Sequence, residues 1–373
     1  MSAPPPPLYL DANATEPLRP EARAAAVEAL DTPGNPSSVH ADGRAARRLL
    51  ERARARIAAS VGAARASDVV FTSGGTEADA LGVHALGAGR RVLVGATEHA
   101  AVLAAAGPGA ARLRVRRDGT ADLDALDAAL AGGPPALVCL MLANNETGVL
   151  HPVAEAAALC RARGATLFVD AAQALGRVPV SVEALGADAL ALSAHKLGGP
   201  KGAGALVLRA GLDIGALVAG GGQERGRRGG TEALPAICGM GAAAEAAAAD
   251  LPRNAPRLAA IRDAIEGGAG LPVAGGDAAA RLPNTTCLVL PPGVAAETGV
   301  IALDLAGVRV SSGAACSSGK VARSHVLDAM GAGEAAGRAI RVSLPWDAPD
   351  DAAERFLAAL RAAMRAWASR AAA

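Results

Sequence analysis

Ser193-Ala194-His195-Lys196-Leu197-Gly198-Gly199-Pro200-Lys201-Gly202 places one lysine between an apolar run and a glycine-rich turn. The preceding Ala189-Leu190-Ala191-Leu192 reads as a short buried strand. Lys196 therefore emerges at a strand's carboxyl end, where open α/β sheets bind ligands. That position suits a Schiff base with pyridoxal phosphate. A solvated turn lysine is the commoner fate of an isolated His-Lys pair, so the rest of the chain has to decide between the two.

Working outward, short apolar runs recur at 68–71, 91–94, 136–140, 165–169 and 205–208, with alanine-rich helical stretches such as 152–163 between them. Strands alternating with helices predict an α/β fold, a mostly parallel sheet flanked by helices. A helical stretch over 242–250, ending near Leu251-Pro252, predicts the exit from a large domain spanning 14–251. Beyond it, strands at 284–290, 308–311 and 339–343 and helices at 297–305 and 351–368 predict a smaller α+β domain, made of 252–373 together with 1–13. The proline-rich start and alanine-rich end read as frayed.

Composition narrows the function. Across 373 residues, 37 basic and 36 acidic side chains nearly cancel, and aromatics make up only 2%. With no basic stripe and few rings to stack bases, nucleic acid is not an expected partner. No apolar stretch is long enough to span a membrane, and the start has neither a basic nor an apolar leader region, so a cytoplasmic location is expected. Cys139, Cys160, Cys238, Cys287 and Cys316 are scattered without metal-ligand spacing. They predict neither a disulfide framework nor a permanent metal site.

Several segments carry chemistry. Thr72-Ser73-Gly74-Gly75-Thr76-Glu77-Ala78-Asp79 follows a strand and opens a helix, so Gly75 and Thr76 offer backbone N–H groups to an anion such as a phosphate. A capped helix after a glycine turn is the plainer alternative. Val169-Asp170-Ala171-Ala172-Gln173 ends a very apolar strand with a carboxylate that needs a cation or hydrogen bonds. A protonated pyridine nitrogen would serve, as would a helix-capping role. His99, in Thr97-Glu98-His99, could lie over a planar ring or simply bond the backbone. Ala143-Asn144-Asn145-Glu146-Thr147-Gly148 offers amides to orient a carboxylate, or an ordinary Asn-Asn turn. Cys316 sits among small residues in Ser311-Ser312-Gly313-Ala314-Ala315-Cys316-Ser317-Ser318-Gly319-Lys320, a setting that suits a nucleophile better than a packed thiol.

Taken together with Tyr9-Leu10-Asp11-Ala12-Asn13-Ala14-Thr15, Gly34-Asn35-Pro36-Ser37-Ser38, Gly220-Gly221-Gly222-Gln223-Glu224-Arg225-Gly226 and Ile340-Arg341-Val342-Ser343-Leu344, these blocks resemble the cysteine desulfurases of the NifS/IscS type. Those are class V aminotransferase relatives with the fold-type I pyridoxal phosphate architecture, and the resemblance runs along nearly the whole chain. It implies a homodimer converting L-cysteine to L-alanine with pyridoxal 5′-phosphate. By the same resemblance Lys196 holds the cofactor and shuttles a proton, Asp170 pairs with the ring nitrogen, Gln173 reaches the phenolic oxygen and His99 stacks on the ring. Gly75, Thr76, Ser193 and His195 hold the phosphate, and Thr231 reaches the phosphate of the neighbouring subunit. Asn13, Asn145 and Arg341 bind substrate, Asn145 also contacting the cofactor. Cys316, within a loop of about 311–324, takes the sulfur as a persulfide and passes it to an acceptor such as an iron–sulfur cluster scaffold, being itself at most a transient iron–sulfur ligand. Selenocysteine lyase or a related β-elimination is the alternative on the same scaffold, and a non-catalytic sulfur-relay subunit a more remote one. Gly75, Ala100, Leu197-Gly198 and Ala322-Arg323 depart from the usual pattern without removing a proposed catalytic group.

Overall fold

The computed structural model describes residues 6–313 and 323–371. After a short β1 (Leu8–Tyr9), seven strands form the main sheet: β2 (Val69–Thr72), β3 (Arg91–Gly95), β4 (Ala111–Leu113), β5 (Ala136–Cys139), β6 (Thr166–Asp170), β7 (Ala189–Ser193) and β8 (Gly204–Leu208). Their order across the sheet is β2-β8-β7-β6-β5-β3-β4. β8 is antiparallel to both neighbours and every other pairing is parallel, so all strands but β8 run the same way. The carboxyl ends of β2, β3, β5, β6 and β7 thus open on one edge.

Alternating residues of these strands serve two cores, as the two-residue period of a strand requires. Phe71, Val138, Leu190 and Leu192 pack on one face. Val70, Leu137, Phe168 and Leu206 pack on the other. Burial on both faces explains why the strands read as continuous apolar runs rather than alternating ones. Helix Gly75–Gly87 crosses one face, and a Cβ on its Gly82 would lie 2.4 Å from the Phe168 ring. The missing side chain lets the helix lie close against β6.

The second unit joins β9 (Thr285–Val289), β11 (Ser311–Ser312) and β12 (Ala339–Ser343) in a three-stranded sheet of order β11-β12-β9, while β10 (Val308–Arg309) pairs with β1. Its core holds Leu8, Leu10, Leu258, Ile261, Ile340, Val342 and Phe356. The strand expected over 308–311 is therefore split at Val310, its two parts joining different sheets. The helix expected to stop near Leu251 instead runs Leu234–Ala269 through Pro252 and Pro256. An interior proline costs about 3 kcal/mol. Here Ile237, Met240 and Ala243 anchor one half in the large core, and Leu258, Ile261 and Ile265 anchor the other in the small one. The alanine-rich end is also helical, over Ala352–Ala371, rather than frayed.

Candidate active site

At the shared strand edge lies a cavity of about 280 Å³ lined by Gly75, Thr76, Asp79, His99, Met141, Asn145, Asp170, Ala172, Gln173, Ser193, His195 and Lys196. Each comes from the end of a strand or the first residues after it. β2 delivers Gly75 and Thr76, β3 delivers His99, β5 leads to Met141 and Asn145, β6 ends in Asp170, and β7 delivers Ser193, His195 and Lys196. Three lining residues, Asp79, Met141 and Ala172, had no role assigned from the sequence.

One end of the cavity is built for an anion. Helix Gly75–Gly87 starts after Gly74 with no side-chain cap. Its first N–H groups and the positive end of its dipole therefore point at the cavity. Ser193 crowds this end: a Cβ on Gly75 would come within 3.1 Å of the Ser193 Cβ. His195 Nδ1 lies 3.1 Å from Thr15 Oγ1. Burial, then the charges of Lys196, Lys201 and Arg177, push the His195 imidazole down to about 4, so it is neutral near pH 7.

Lys196 Nζ donates to the main-chain carbonyls of Asn13 (2.6 Å) and Ala14 (3.0 Å). Gln173 Nε2 donates to the same Asn13 carbonyl at 3.0 Å, and Gln173 Oε1 accepts from Arg177. The segment after β1 thereby holds both the lysine and the glutamine. His99 caps helix Ala100–Ala106, its Nδ1 accepting from the Ala101 N–H at 3.2 Å. With Nδ1 as acceptor, the neutral ring carries its proton on Nε2.

Under the cavity sit three buried carboxyls. Asp170 Oδ1 accepts from the Ala172 N–H at 2.8 Å. Burial nevertheless raises its pKa, against the lowering effect of that bond and of neighbouring His99 and Lys196. Asp79 is pushed well above the usual range by burial, then by Asp170 and Glu98. Glu98 is also pushed well up by burial, although its Oε1 accepts from the Met141 N–H at 2.7 Å. Asp79 Oδ1 and Glu98 Oε2 are buried without a hydrogen-bond partner among the described residues. Such perturbed carboxyls at a cleft mark functional ground. The signal in the sequence was an acidic residue on an apolar helix face and another beside a candidate histidine.

The class-V aminotransferase family matches residues 8–356. A cysteine desulfurase of Cereibacter sphaeroides is 46% identical over 339 residues, 87% of this chain and 86% of the relative. One from Rhodobacter capsulatus is 41% identical over 95% of this chain and 96% of its own length. Among solved structures, a NifS-like protein from Rickettsia africae superposes with a TM-score of 0.89 at 32% identity, over 96% of this chain and 99% of its own. The chain belongs to the class-V aminotransferase family, among its cysteine desulfurases.

Within this desulfurase fold, some expected site residues lie apart from the cavity wall. Arg341, in the middle strand of the small sheet, is buried, donating from Nη2 to Asp11 Oδ1 at 2.6 Å and from Nη1 to the Asn145 carbonyl at 3.1 Å. Its Nε has no partner among the described residues. Asn13 stands behind the wall, its side-chain amide donating to the Asn145 carbonyl and Thr285 Oγ1. It touches the cavity through the lysine its carbonyl holds. Thr231 is exposed and lines a separate small recess with Ser73, Arg228 and Glu232. Cys316 and most of its loop lie outside the described residues. The other four cysteines are free and buried. Among the described residues, no helix is long and apolar enough to cross a membrane.

Proposed function

We propose that this chain takes sulfur from L-cysteine onto Cys316, releases L-alanine and passes the sulfur to an acceptor, using pyridoxal 5′-phosphate. The observation that carries this reading is the convergence of Lys196, Asp170, His99 and an uncapped helix start on one cavity in a member of the cysteine desulfurase group. The residues fit the cofactor. Gly75, Thr76, Ser193 and neutral His195 suit its phosphate, with Thr231 serving the phosphate of the other subunit in a homodimer. Asp170, a buried carboxyl in need of a cation, suits a protonated pyridine nitrogen, and Gln173 the phenolic oxygen. When bound, the cofactor supplies an electron sink that stabilises carbanion character at the substrate.

Lys196, held by two carbonyls at the cavity wall, would anchor the cofactor and move the proton at the substrate's α-carbon. His99 would lie over the bound cofactor, with Nε2 as the atom that would carry a proton. Asn145 and the orphaned Nε of Arg341 orient the substrate carboxylate, and Asn13 keeps Lys196 and Asn145 in place. The Cys316 thiolate attacks the substrate sulfur: an S–S bond forms, the Cβ–S bond breaks, and its electron pair leaves with the carbon fragment, which gains a proton on its way to alanine. The large domain over 14–251 and the small one over 1–13 and 252–373, a cytoplasmic setting, and an iron–sulfur scaffold or other sulfur carrier as acceptor belong to the same reading.

Incubating the purified protein with cofactor, L-cysteine and a reductant, then measuring alanine and sulfide, tests it. Alanine formation should require Cys316, disappearing in Cys316→Ser. Formation that ignores Cys316 would move the activity to a lyase.

A further inference from the structure

Glu146 lies in the turn after β5, and the cavity wall does not include it. Its backbone is fixed, the N–H donating to Asn144 Oδ1 at 2.9 Å, and its side chain is buried. Oε2 accepts from Ser324 Oγ at 2.5 Å. The Ser324 hydroxyl also accepts from the Leu327 N–H at 3.1 Å, capping helix His325–Ala329. That leaves the hydroxyl proton for Glu146, and such a short O–H···O contact is typical of an ionised acceptor. The same Oε2 faces the other side of the loop: a Cβ on Gly313 would lie 2.8 Å from it. One carboxyl oxygen thus accepts from Ser324 and lies where a side chain on Gly313 would be, while the Gly313 N–H donates to the Ala339 carbonyl of β12 at 3.3 Å. A second tie runs beside it, His325 Nε2 to the Glu98 carbonyl at 3.0 Å, one residue before His99.

We infer that Glu146 is a positioning residue that holds Ser324, opposite Gly313, against the Asn144–Thr147 turn and so sets where the chain leaves the Cys316 segment relative to the bound substrate. The inference rests on the proposed desulfurase chemistry. Burial raises the Glu146 carboxyl to about 7, against its bond from Ser324 and the charges of Arg341 and His99. Arg341 on β12, His99 after β3 and the Cys287 thiol on β9 are, among the described residues, the titratable groups that face it. Near neutral pH the carboxyl therefore exchanges a proton, and the ionised form, which takes the Ser324 proton best, gains population as pH rises.

Glu146→Gln, Ser324→Ala and Ser324→Thr test this on the cofactor-loaded protein. Three readouts apply: the change in cofactor absorbance on adding L-cysteine, single-turnover persulfide formation on Cys316 between pH 6 and 8.5, and amide exchange in peptides spanning 323–329. In Glu146→Gln and Ser324→Ala we expect the absorbance change to stay within about twofold while persulfide formation slows about tenfold or more, the scale of one lost charge-assisted hydrogen bond. Its rise with pH should flatten in Glu146→Gln, exchange over 323–329 should quicken in both, and Ser324→Thr should restore the wild-type behaviour. Wild-type persulfide rates and pH dependence in both variants would overturn the inference. Equal loss of the absorbance change and of transfer would also overturn it, because the residue would then act on substrate binding. If wild-type protein forms no persulfide, the desulfurase reading fails, and the exchange readout still decides the anchor: quickened exchange supports it and unchanged exchange rejects it.

Discussion

The two sides of the active site are finished to different degrees. On the large-sheet side, the helix start at Gly75 is uncapped, and Asp79 and Glu98 keep buried oxygens with no partner among the described residues, beside an Asp170 whose pKa burial has raised. On the small-sheet side, Arg341 is ion-paired to Asp11, Asn145 is gripped through its carbonyl, and Glu146 holds Ser324. Among the described residues, Arg341 Nε is the main loose end there. An unfinished electrostatic site is completed by what binds to it, whereas a finished one sets shape and register. The large-sheet side is the natural place for the cofactor and the small-sheet side for positioning the substrate and the cysteine segment.

The sharpest way to break this contrast is to alter the unfinished side. Lys196→Ala should abolish multiple turnover, a loss of about 10³-fold or more on the scale of removing a positioned acid–base group, read as alanine per enzyme. Continued turnover would remove Lys196 from its role. Asp170→Asn should keep some cofactor, visible as its absorbance band, yet lose about 10²-fold in turnover, comparable to removing one preorganised electrostatic group. A near-normal rate would mean that the carboxyl floor is not what the cofactor uses.

On the finished side, effects should be smaller and of another kind. Arg341→Lys keeps the charge but loses the fork that reaches Asp11 and the Asn145 carbonyl together. It should cost about tenfold in kcat/KM, mostly through KM. A kcat effect with unchanged KM would place Arg341 in the chemical step instead. Glu146 adds a stability signature. Because its folded-state pKa is raised from 4.5 to about 7, the folded state binds the extra proton, and this residue's contribution to stability declines as pH rises from about 4.5 to about 7. Measured by denaturant unfolding, the stability of Glu146→Gln relative to wild type should rise by roughly 2 to 3 kcal/mol across that window and level off above it. A flat difference would mean that the carboxyl titrates at its ordinary pKa. The mildest change is Gly75→Ala: its Cβ would meet Ser193 at 3.1 Å, a contact a small shift relieves, so stability should move by less than about 1 kcal/mol.

The same division explains what could be read from the chain alone. Strands buried on both faces leave apolar runs that need no partner to be recognised, so β2, β3, β5, β6, β7 and β8 were legible, and with them the residues at their ends. Two-residue β1 and edge strand β4 exist because of what they pair with, and the local sequence carries little trace of that. The helix through Pro252 was hidden because local proline chemistry predicts a stop, which packing in two cores overrides. Asp79 and Glu98 were visible as letters, but their meaning depends on a shared burial with Asp170 that only the folded sheet creates. Glu146 likewise gains its role from Ser324, far along the chain in the other unit.

The most direct test of the central claim is intact-protein mass spectrometry of the cofactor-loaded enzyme after a single turnover with L-cysteine. We predict one added sulfur atom, mapped to Cys316, removed by reductant and absent in Cys316→Ser, with one alanine released per sulfur bound. Alanine release without any sulfur adduct on Cys316 would contradict it.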